Sequence, residues 1–543
     1  MSNLKRPKKI SFIIHPILFS IFPVIFIFSE NIHILPVTEI LLPLVIMVGL
    51  TILILFLLKN KIENRNKIAL IISLIVIIFF SYGYFYEIIN NSQLENSEIS
   101  RHRYLLMPYF GLGIIGVIFF LKSNRLFNNA TSITNGVSIS IIVIISINIV
   151  TDVYSGNFFG SPELEDNENW FGMGVPTQGP LEEFFENDDD KQDLRAESKK
   201  IQNVKPDIYY IIPDEYPSNH ALKQFFGFDN REFLTFLETN GFHVVDNSFS
   251  NYPTTIQSLT SSLNMEYLDV LTEGIDTNSK NYHLLNELLS DNQVMRKFSD
   301  QGYHIMNIGS LWGPNGGFKN TKSNLCEFKE VNRDSLIRQL IEKSMISYFY
   351  EKYFEQLRRD QIICIYNEIE LLSEDQNKPK FVFVHIFSPH APYIFGPNGE
   401  NVSPGNSLDS NPWNERNAHV DQIKFVNKNL IELIPKLLNS ENKPIIILQG
   451  DTGAGYEIDW KSPSDVMVIE RMSNLNAIYF PNKNYDKINN LTPVNTFRII
   501  FNEYFDEENV LHENKNYWSN SEKPYTFVDI TKRLKNNQLG FND

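Results

Sequence analysis

Five long apolar runs in the first 153 residues constrain the fold of this chain more than any other feature. They cover residues 11–28, 38–58, 68–88, 104–121 and 137–153. A helix needs about 20 mostly apolar residues to cross the hydrocarbon core of a bilayer, so each run predicts a membrane-spanning helix. The first run contains His15 and Pro16, which predict a kinked or poorer span. We therefore predict an α-helical membrane domain of about five spans over residues 1–153.

The basic residues predict how these helices are oriented. They lie before the first run, between the second and third, and between the fourth and fifth: Lys5, Arg6, Lys8, Lys9, Lys59, Lys61, Arg65, Lys67, Lys122 and Arg125. Cytoplasmic loops carry such an excess of Lys and Arg. An odd number of spans with the N-terminus inside predicts a multi-pass plasma-membrane protein whose remaining chain lies outside the cytoplasm. Arg101 and Arg103 are a mild exception to this pattern.

Composition changes sharply after the last apolar run. Residues 154–203 are rich in Asp and Glu with scattered Gly and Pro, which predicts an acidic linker. From residue 204 to 543, strand and helix patterns alternate, which predicts a three-layer α/β sandwich with a mostly parallel sheet. The net charge of −16 argues against nucleic-acid binding. Whether the two cysteines, Cys326 and Cys364, form a disulfide is left open by the sequence.

A threonine-rich segment, NYPTTIQSLTSSL at residues 251–263, predicts the start of a helix. Pro253 suits a first helical turn, and Thr254 and Thr255 then lie where backbone N–H groups are unpaired. Such a helix end attracts anions. A threonine there is either an ordinary N-cap or, if its pKa is lowered, a nucleophile toward a phosphate or sulfate ester.

Two apolar strands are each followed by carboxylates. The strand at residues 208–212 precedes Asp214 and Glu215, and the strand at residues 445–448 precedes Asp451. The carboxyl ends of parallel strands meet at one edge of a sheet, where α/β proteins hold their ligands. Carboxylate oxygens at that edge predict a site for a divalent cation.

Further candidates lie on a third strand and on two loops. The strand at residues 380–387 leads into SPHAPY, which brings His390 to the same edge of the sheet. His385, inside that strand, is predicted to be packed or outward-facing rather than a site residue. Arg471 and Trp312 are candidates for substrate binding, since a guanidinium grips phosphate and an indole can line a pocket. The alternative for Arg471 is a surface ion pair, and the alternative for Trp312 is a structural role in a turn.

The order of these motifs resembles the alkaline phosphatase/sulfatase superfamily. Within it, the chain looks most like membrane-anchored lipoteichoic acid synthase and the lipid A phosphoethanolamine transferases. The resemblance covers roughly residues 205–505 and implies an alkaline phosphatase-like fold with one divalent metal ion. It implies that Asp214, Glu215, Thr255 and Asp451 bind the metal. It further implies that Thr255 is the nucleophile and that His390 binds the substrate.

The chain departs from the family pattern at two points. Thr452 follows Asp451 where the family usually has His or Asn. Because threonine is a poor zinc ligand, we predict Mn²⁺, Mg²⁺ or Ca²⁺ in preference to Zn²⁺. Thr452 would then be a weak ligand, or Glu215 would replace the missing one. The Cys/Ser-x-Pro-x-Arg motif that sulfatases need is absent, which favours phosphoesters over sulfate esters.

The predicted function is metal-dependent hydrolysis or transfer of phosphoesters in the cell envelope, with transfer of a head group or polyol phosphate. The partners are the lipid bilayer and a lipid or glycan phosphoester. A sulfatase-type hydrolase is one alternative, and an inactive relative that binds envelope glycans or anionic polymers is another. If Thr255 is not the nucleophile, Thr254 and Ser258 are the next candidates.

Overall fold

A computed structural model describes residues 12–32, 35, 37–90, 102–154, 205–269, 275–309, 317–326, 336–374, 379–402, 412–456, 458–481, 485, 492–520 and 522–539. The chain forms two compact units. The N-terminal unit holds residues 1–164 and 329–356, and the sheet unit holds residues 165–328 and 357–543. Apart from Tyr154, the predicted linker lies outside the described residues, and the predicted domain boundaries remain predictions.

The N-terminal unit is built from apolar helices. They are α1 (His15–Glu30), α2 (Thr38–Leu58), α3 (Arg65–Asn90), α4 (His102–Lys122) and α5 (Asn128–Tyr154). Among the described residues, four helices, α2 to α5, are long and apolar enough to cross a membrane, whereas α1 is shorter, with 16 residues. Most apolar side chains of α2 and α4 are exposed, as expected for helices that face lipid.

The remaining elements follow in chain order. They are β1 (Ile208–Pro213), α6 (Asn219–Phe226), α7 (Arg231–Thr239), β2 (His243–Val244), α8 (Thr255–Asn264), α9 (His283–Ser290), α10 (Gln293–Asp300), β3 (His304–Ile308), β4 (Ser323–Leu325), α11 (Leu336–Glu342), α12 (Ser347–Glu374), β5 (Lys380–Ile386), α13 (Pro412–Leu438), β6 (Ile445–Gln449), α14 (Asp465–Met472), β7 (Asn476–Tyr479), a 3₁₀ turn (Pro493–Asn495), α15 (Thr496–Tyr504), β8 (Tyr517–Asn520), β9 (Lys523–Asp529) and α16 (Thr531–Leu539).

Seven strands form one sheet in the order β2-β7-β6-β1-β5-β3-β4. Both neighbours of β7 run antiparallel to it, and the other pairings are parallel. The predicted mostly parallel sheet is therefore confirmed. Helices α9 and α10 follow each other closely and stay separate, because Asn292 accepts a hydrogen bond from the Met295 amide and begins a new helix.

The sheet is covered on both faces. On one face, Tyr210, Phe383 and Ile447 pack in a cluster that contains Leu259 of α8 and Phe497 of α15. On the other, Ile211, Val384 and Leu448 pack in a cluster that includes Ile365 of α12 and Leu430 of α13. The predicted three-layer sandwich is thus confirmed, with α8 resting on the face of the first cluster.

Candidate functional site

The three central strands bring Asp214, His385 and Asp451 together. Side chains alternate between the faces of a sheet with a period of two, and each of these residues continues the row that packs under α8. One ligand atom of each lies within 4.8 Å of the others, and all three side chains are buried. In the register of β1 and β5, Ile212 lies beside His385, so this histidine is level with the strand end that carries Asp214.

His385 is packed, as one of the two predicted alternatives, but it also lies beside Asp214 and Asp451, which the sequence disfavoured. Burial lowers the pKa of His385 to about 4, so the imidazole is neutral near pH 7. Its Nε2 lies 3.8 Å from Asp214 Oδ2. In the part of the chain that the structure describes, neither ring nitrogen has a hydrogen-bond partner. A neutral imidazole with such nitrogens is the form that binds metals.

Thr255 joins this group through its hydroxyl. It is the first residue of α8, and its Oγ1 donates a hydrogen bond of 2.6 Å to Asp451 Oδ2. The two alternative hydroxyls are used elsewhere. Thr254 Oγ1 donates to Gln257 Oε1, and Ser258 Oγ donates to the backbone oxygen of Asp451. Among these three hydroxyls, the described hydrogen bond of Thr255 is therefore the one to the Asp451 carboxylate.

The Glu215 amide donates to Asp451 Oδ1 at 3.0 Å, while its carboxylate contacts residues outside the three-residue group. Its φ of 55° lies in the left-handed region, which is uncommon for a residue with a side chain. Its carboxylate forms an ion pair with Arg471 and lies 3.7 Å from His390 Nε2. Burial tends to raise the pKa of Glu215, but His390, Arg471 and His419 outweigh this effect and hold it below its usual value. The metal-ligand role of Glu215 remains a prediction.

Arg471 connects three loops around the site. Besides Glu215, its guanidinium donates from Nε to the Pro253 oxygen at 2.7 Å and from Nη1 to the Gly453 oxygen at 3.1 Å. The loops after β1 and β6 and the residues before α8 are thereby held together. A buried guanidinium with these partners positions the start of α8, and its predicted contact with substrate remains a prediction.

His390 and Thr255 form the more open side of the site. The His390 side chain is 21% exposed, and Thr255 is half-buried. The His390 amide donates to the Asp214 oxygen at 3.1 Å, which fixes the loop after β5 against the loop after β1. His390 Nδ1 lies 2.6 Å from the Ala391 oxygen, so Nδ1 carries the proton when the ring is neutral. A substrate would therefore meet both side chains first.

Thr452 lies in the tight turn after Asp451. Its Oγ1 is buried and has no hydrogen-bond partner among the residues that the structure describes. The turn needs glycine next to it, because a Cβ on Gly453 would lie 2.2 Å from the Glu470 oxygen. The predicted role of Thr452 as a ligand stays a prediction. Trp312, the other predicted substrate contact, lies outside the described residues.

The donor set fits a divalent cation. Two carboxylates and a neutral imidazole, buried together, are ligands that Zn²⁺ and Mn²⁺ accept, whereas Mg²⁺ and Ca²⁺ prefer oxygen donors. The prediction of a metal harder than zinc depended on the lack of an imidazole after Asp451. His385 supplies an imidazole from β5, on the other side of β1 from β6, so this reason for disfavouring zinc no longer holds.

No protein-family model and no curated protein sequence matches the chain. Solved structures do. The C-terminal periplasmic domain of EcEptC from Escherichia coli, in complex with Zn, is 11% identical, with a TM-score of 0.40 over 60% of this chain and 93% of that one. The phosphonate monoester hydrolase of Agrobacterium radiobacter is 11% identical, with a TM-score of 0.37 over 58% and 80%. BT1596, a 2-O GAG sulfatase, is 13% identical, with a TM-score of 0.35 over 55% and 70%.

Proposed function

We propose that this chain is a membrane-anchored, metal-dependent enzyme that transfers or hydrolyses phosphoesters through Thr255. The observation that carries the proposal is the hydrogen bond from Thr255 Oγ1 to Asp451 Oδ2, since Asp451 also belongs to the buried group with Asp214 and His385. A hydroxyl at a helix start, beside a group able to hold a cation, has the two features that a threonine nucleophile needs.

The chemistry divides between the cation site and the side chains around it. A divalent cation held by Asp214, His385 and Asp451 would lower the pKa of the Thr255 hydroxyl and neutralise the ester oxygens. Thr255 Oγ attacks phosphorus, its proton passes toward Asp451, and the bond from phosphorus to the leaving oxygen breaks. His390 protonates that leaving alkoxide. Water, or the hydroxyl of an acceptor, then returns a proton to His390 and displaces the phosphoryl group from Thr255, whose oxygen recovers its proton from Asp451.

The substrate is proposed to be a lipid or glycan phosphoester of the cell envelope. Anchoring beside a bilayer raises the effective concentration of a lipid donor. The basic loops support a position of the sheet unit outside the cytoplasm. The disulfide between Cys326 and Cys364 supports the same position, because disulfides persist in oxidising compartments.

Substitution of the nucleophile tests the proposal. Purified full-length protein in detergent, supplied with Mn²⁺ or Zn²⁺, should turn over a p-nitrophenyl phosphodiester. Thr255→Ala should reduce kcat by at least about 10³-fold, because removal of a covalent nucleophile costs several powers of ten. Thr254→Ala is the matched control, one residue earlier, and should stay within a few-fold of the wild type. Activity that survives Thr255→Ala would contradict the assignment.

Parallel assays separate the alternatives. Turnover of p-nitrophenyl sulfate in place of the phosphodiester would indicate a sulfatase. A wild-type protein that binds none of Mn²⁺, Mg²⁺, Ca²⁺ and Zn²⁺, and that turns over neither ester, would indicate a binding protein. Mass spectrometry of acid-quenched reactions should find phosphate on the peptide that contains Thr255, and finding it on another residue would replace the nucleophile.

A further inference from the structure

Between β4 and β5 the chain leaves the sheet unit, and the described residues 336–356 pack within the N-terminal unit. Leu336 and Leu340 of α11 lie in one buried cluster with Val24 and Ile27 of α1. At the end of α1, Asn31 Nδ2 donates a hydrogen bond of 2.8 Å to Gln339 Oε1. Residues from the middle of the sequence are therefore part of the helical unit that carries the predicted membrane spans.

The residues after α11 bond directly to the backbone of α3. Gly83 N donates to the Lys343 oxygen at 3.1 Å, and Met345 N donates to the Phe79 oxygen at 3.0 Å. Gly83 allows this approach, because a Cβ there would lie 2.4 Å from Lys343 Cα. Gly83 is seven residues before the end of α3, about 10 Å at 1.5 Å per residue. The segment thus lies at the depth of the last turns of a predicted membrane-spanning helix.

An exposed apolar stripe begins immediately after these contacts. Ile346, Phe349 and Tyr353 are 44%, 66% and 63% exposed. Their spacing of three and four residues puts them on one face at the start of α12. On the same face, Gln356 and Asp360 follow as exposed polar residues, before Ile363 and Leu371, which are 44% and 58% exposed. The two polar positions separate the stripe that adjoins α3 from the apolar residues nearer the end of α12.

We propose that the face formed by Ile346, Phe349 and Tyr353 binds the bilayer surface, in the leaflet that surrounds the Glu30 and Asn90 ends of α1 and α3. Lipid is the occupant that the contacts favour, because the stripe continues directly from a segment hydrogen-bonded to a predicted membrane-spanning helix. Aromatic residues are enriched at this depth of a membrane. The face gives the chain a membrane attachment besides its predicted spans, and the proposal does not depend on the proposed reaction.

Spin labels test the proposed face. In the described structure Cys326 and Cys364 are joined in a disulfide, so an introduced cysteine is a free thiol for a nitroxide. Phe349→Cys is the test position. Asp360→Cys is the matched control on the same face, 11 residues or about 16 Å farther along the helix. The full chain is reconstituted in phosphatidylglycerol–phosphatidylethanolamine vesicles, and the accessibility of each label to oxygen and to a water-soluble nickel chelate is measured.

At residue 349 we expect greater accessibility to oxygen than to the nickel chelate, and the reverse at residue 360. Labels at Ile346→Cys and Tyr353→Cys should give intermediate or similar depths, which guards against a single variant that folds poorly. Equal exposure to the chelate at residues 349 and 360 would overturn the proposal. A label at residue 349 that is immobile and shielded from both reagents would also overturn it, since a protein would then cover the face.

Discussion

At the scale of single residues, the face of the sheet on which a side chain lies decides whether it reaches the site. His385 lies in a strand whose sequence, KFVFVHIF, reads as continuous core. Its row of side chains on the sheet is nevertheless the row that ends at Asp214 after β1 and at Asp451 after β6. Side chains along a strand alternate between the two faces of the sheet. Following this alternation on all three strands together would have indicated His385 as a site residue, whereas the order of motifs alone indicates His390 and Asp451.

Replacement of His385 gives a direct test of the donor set. His385→Ala should weaken cation binding by at least about 100-fold, because even outer partners of a metal ligand contribute 10–100-fold. Cation affinity is measured by isothermal titration with Zn²⁺ and Mn²⁺, and bound metal by elemental mass spectrometry. His304→Ala, at the amino end of β3 and hence at the opposite end of the strands, is the control. Unchanged affinity in His385→Ala would remove this residue from the site.

At the scale of elements, close backbone approach determines which pieces of the chain pack together. The contact of residues 343–345 with α3 has no counterpart in a sequence motif, since α11 and α12 read as ordinary helices. It depends on Gly83, where even one methyl group would overlap the backbone of Lys343. The other side of the contact is stabilised by the ion pair between Lys343 and Glu87.

Addition of a methyl group at Gly83 should therefore loosen the docked segment. Gly83→Ala is expected to cost about 1–3 kcal/mol, as overpacking typically does, and to speed tryptic cleavage after Lys343. Gly49→Ala on α2 is the matched control, because no atom lies within 4 Å of the added Cβ. Cleavage rates and thermal midpoints of the two variants are compared in the same detergent. Equal cleavage after Lys343 in both would show that the contact does not hold the segment.

At the scale of the whole molecule, one disulfide joins the two ends of the segment that leaves the sheet unit for the N-terminal unit. Cys326 and Cys364 are 38 residues apart, and the chain leaves the sheet unit after Phe328 and returns to it at Leu357. Both cysteines therefore belong to the sheet unit. Their bond joins the residues just before the chain leaves this unit to the residues just after it returns. The bond limits the conformations that residues 329–356 can explore when the protein unfolds.

Removal of this bond should lower stability without changing the reaction. A protein with both Cys326→Ser and Cys364→Ser is expected to lose roughly 2–4 kcal/mol, as for other disulfides that close loops of this size. The thermal midpoint of the full chain in detergent is the measurement. Addition of a reductant should lower the midpoint of the wild type and leave the variant unchanged. A wild type that is insensitive to reductant would mean that the bond contributes nothing to stability.

The sequence by itself determined the features that rest on local chemistry. Apolar runs long enough to cross a bilayer indicate helices, because a spanning backbone must satisfy its hydrogen bonds internally. Buried strands that end in Asp214 and Asp451, with a threonine-rich helix start between them, indicate the edge of the sheet where the site lies. These inferences need only the order of residues along the chain.

Tertiary structure decided whatever depends on residues far apart in sequence. The hydrogen bond to Asp451 distinguishes Thr255 from Thr254 and Ser258. Register between strands brings His385 to the aspartates. The joining of Cys326 to Cys364 and the docking of residues 343–345 on α3 likewise depend on where the chain returns in space. None of these contacts can be recognised from a short stretch of sequence. Each joins two distant segments, and the sequence of either segment is compatible with several packing partners.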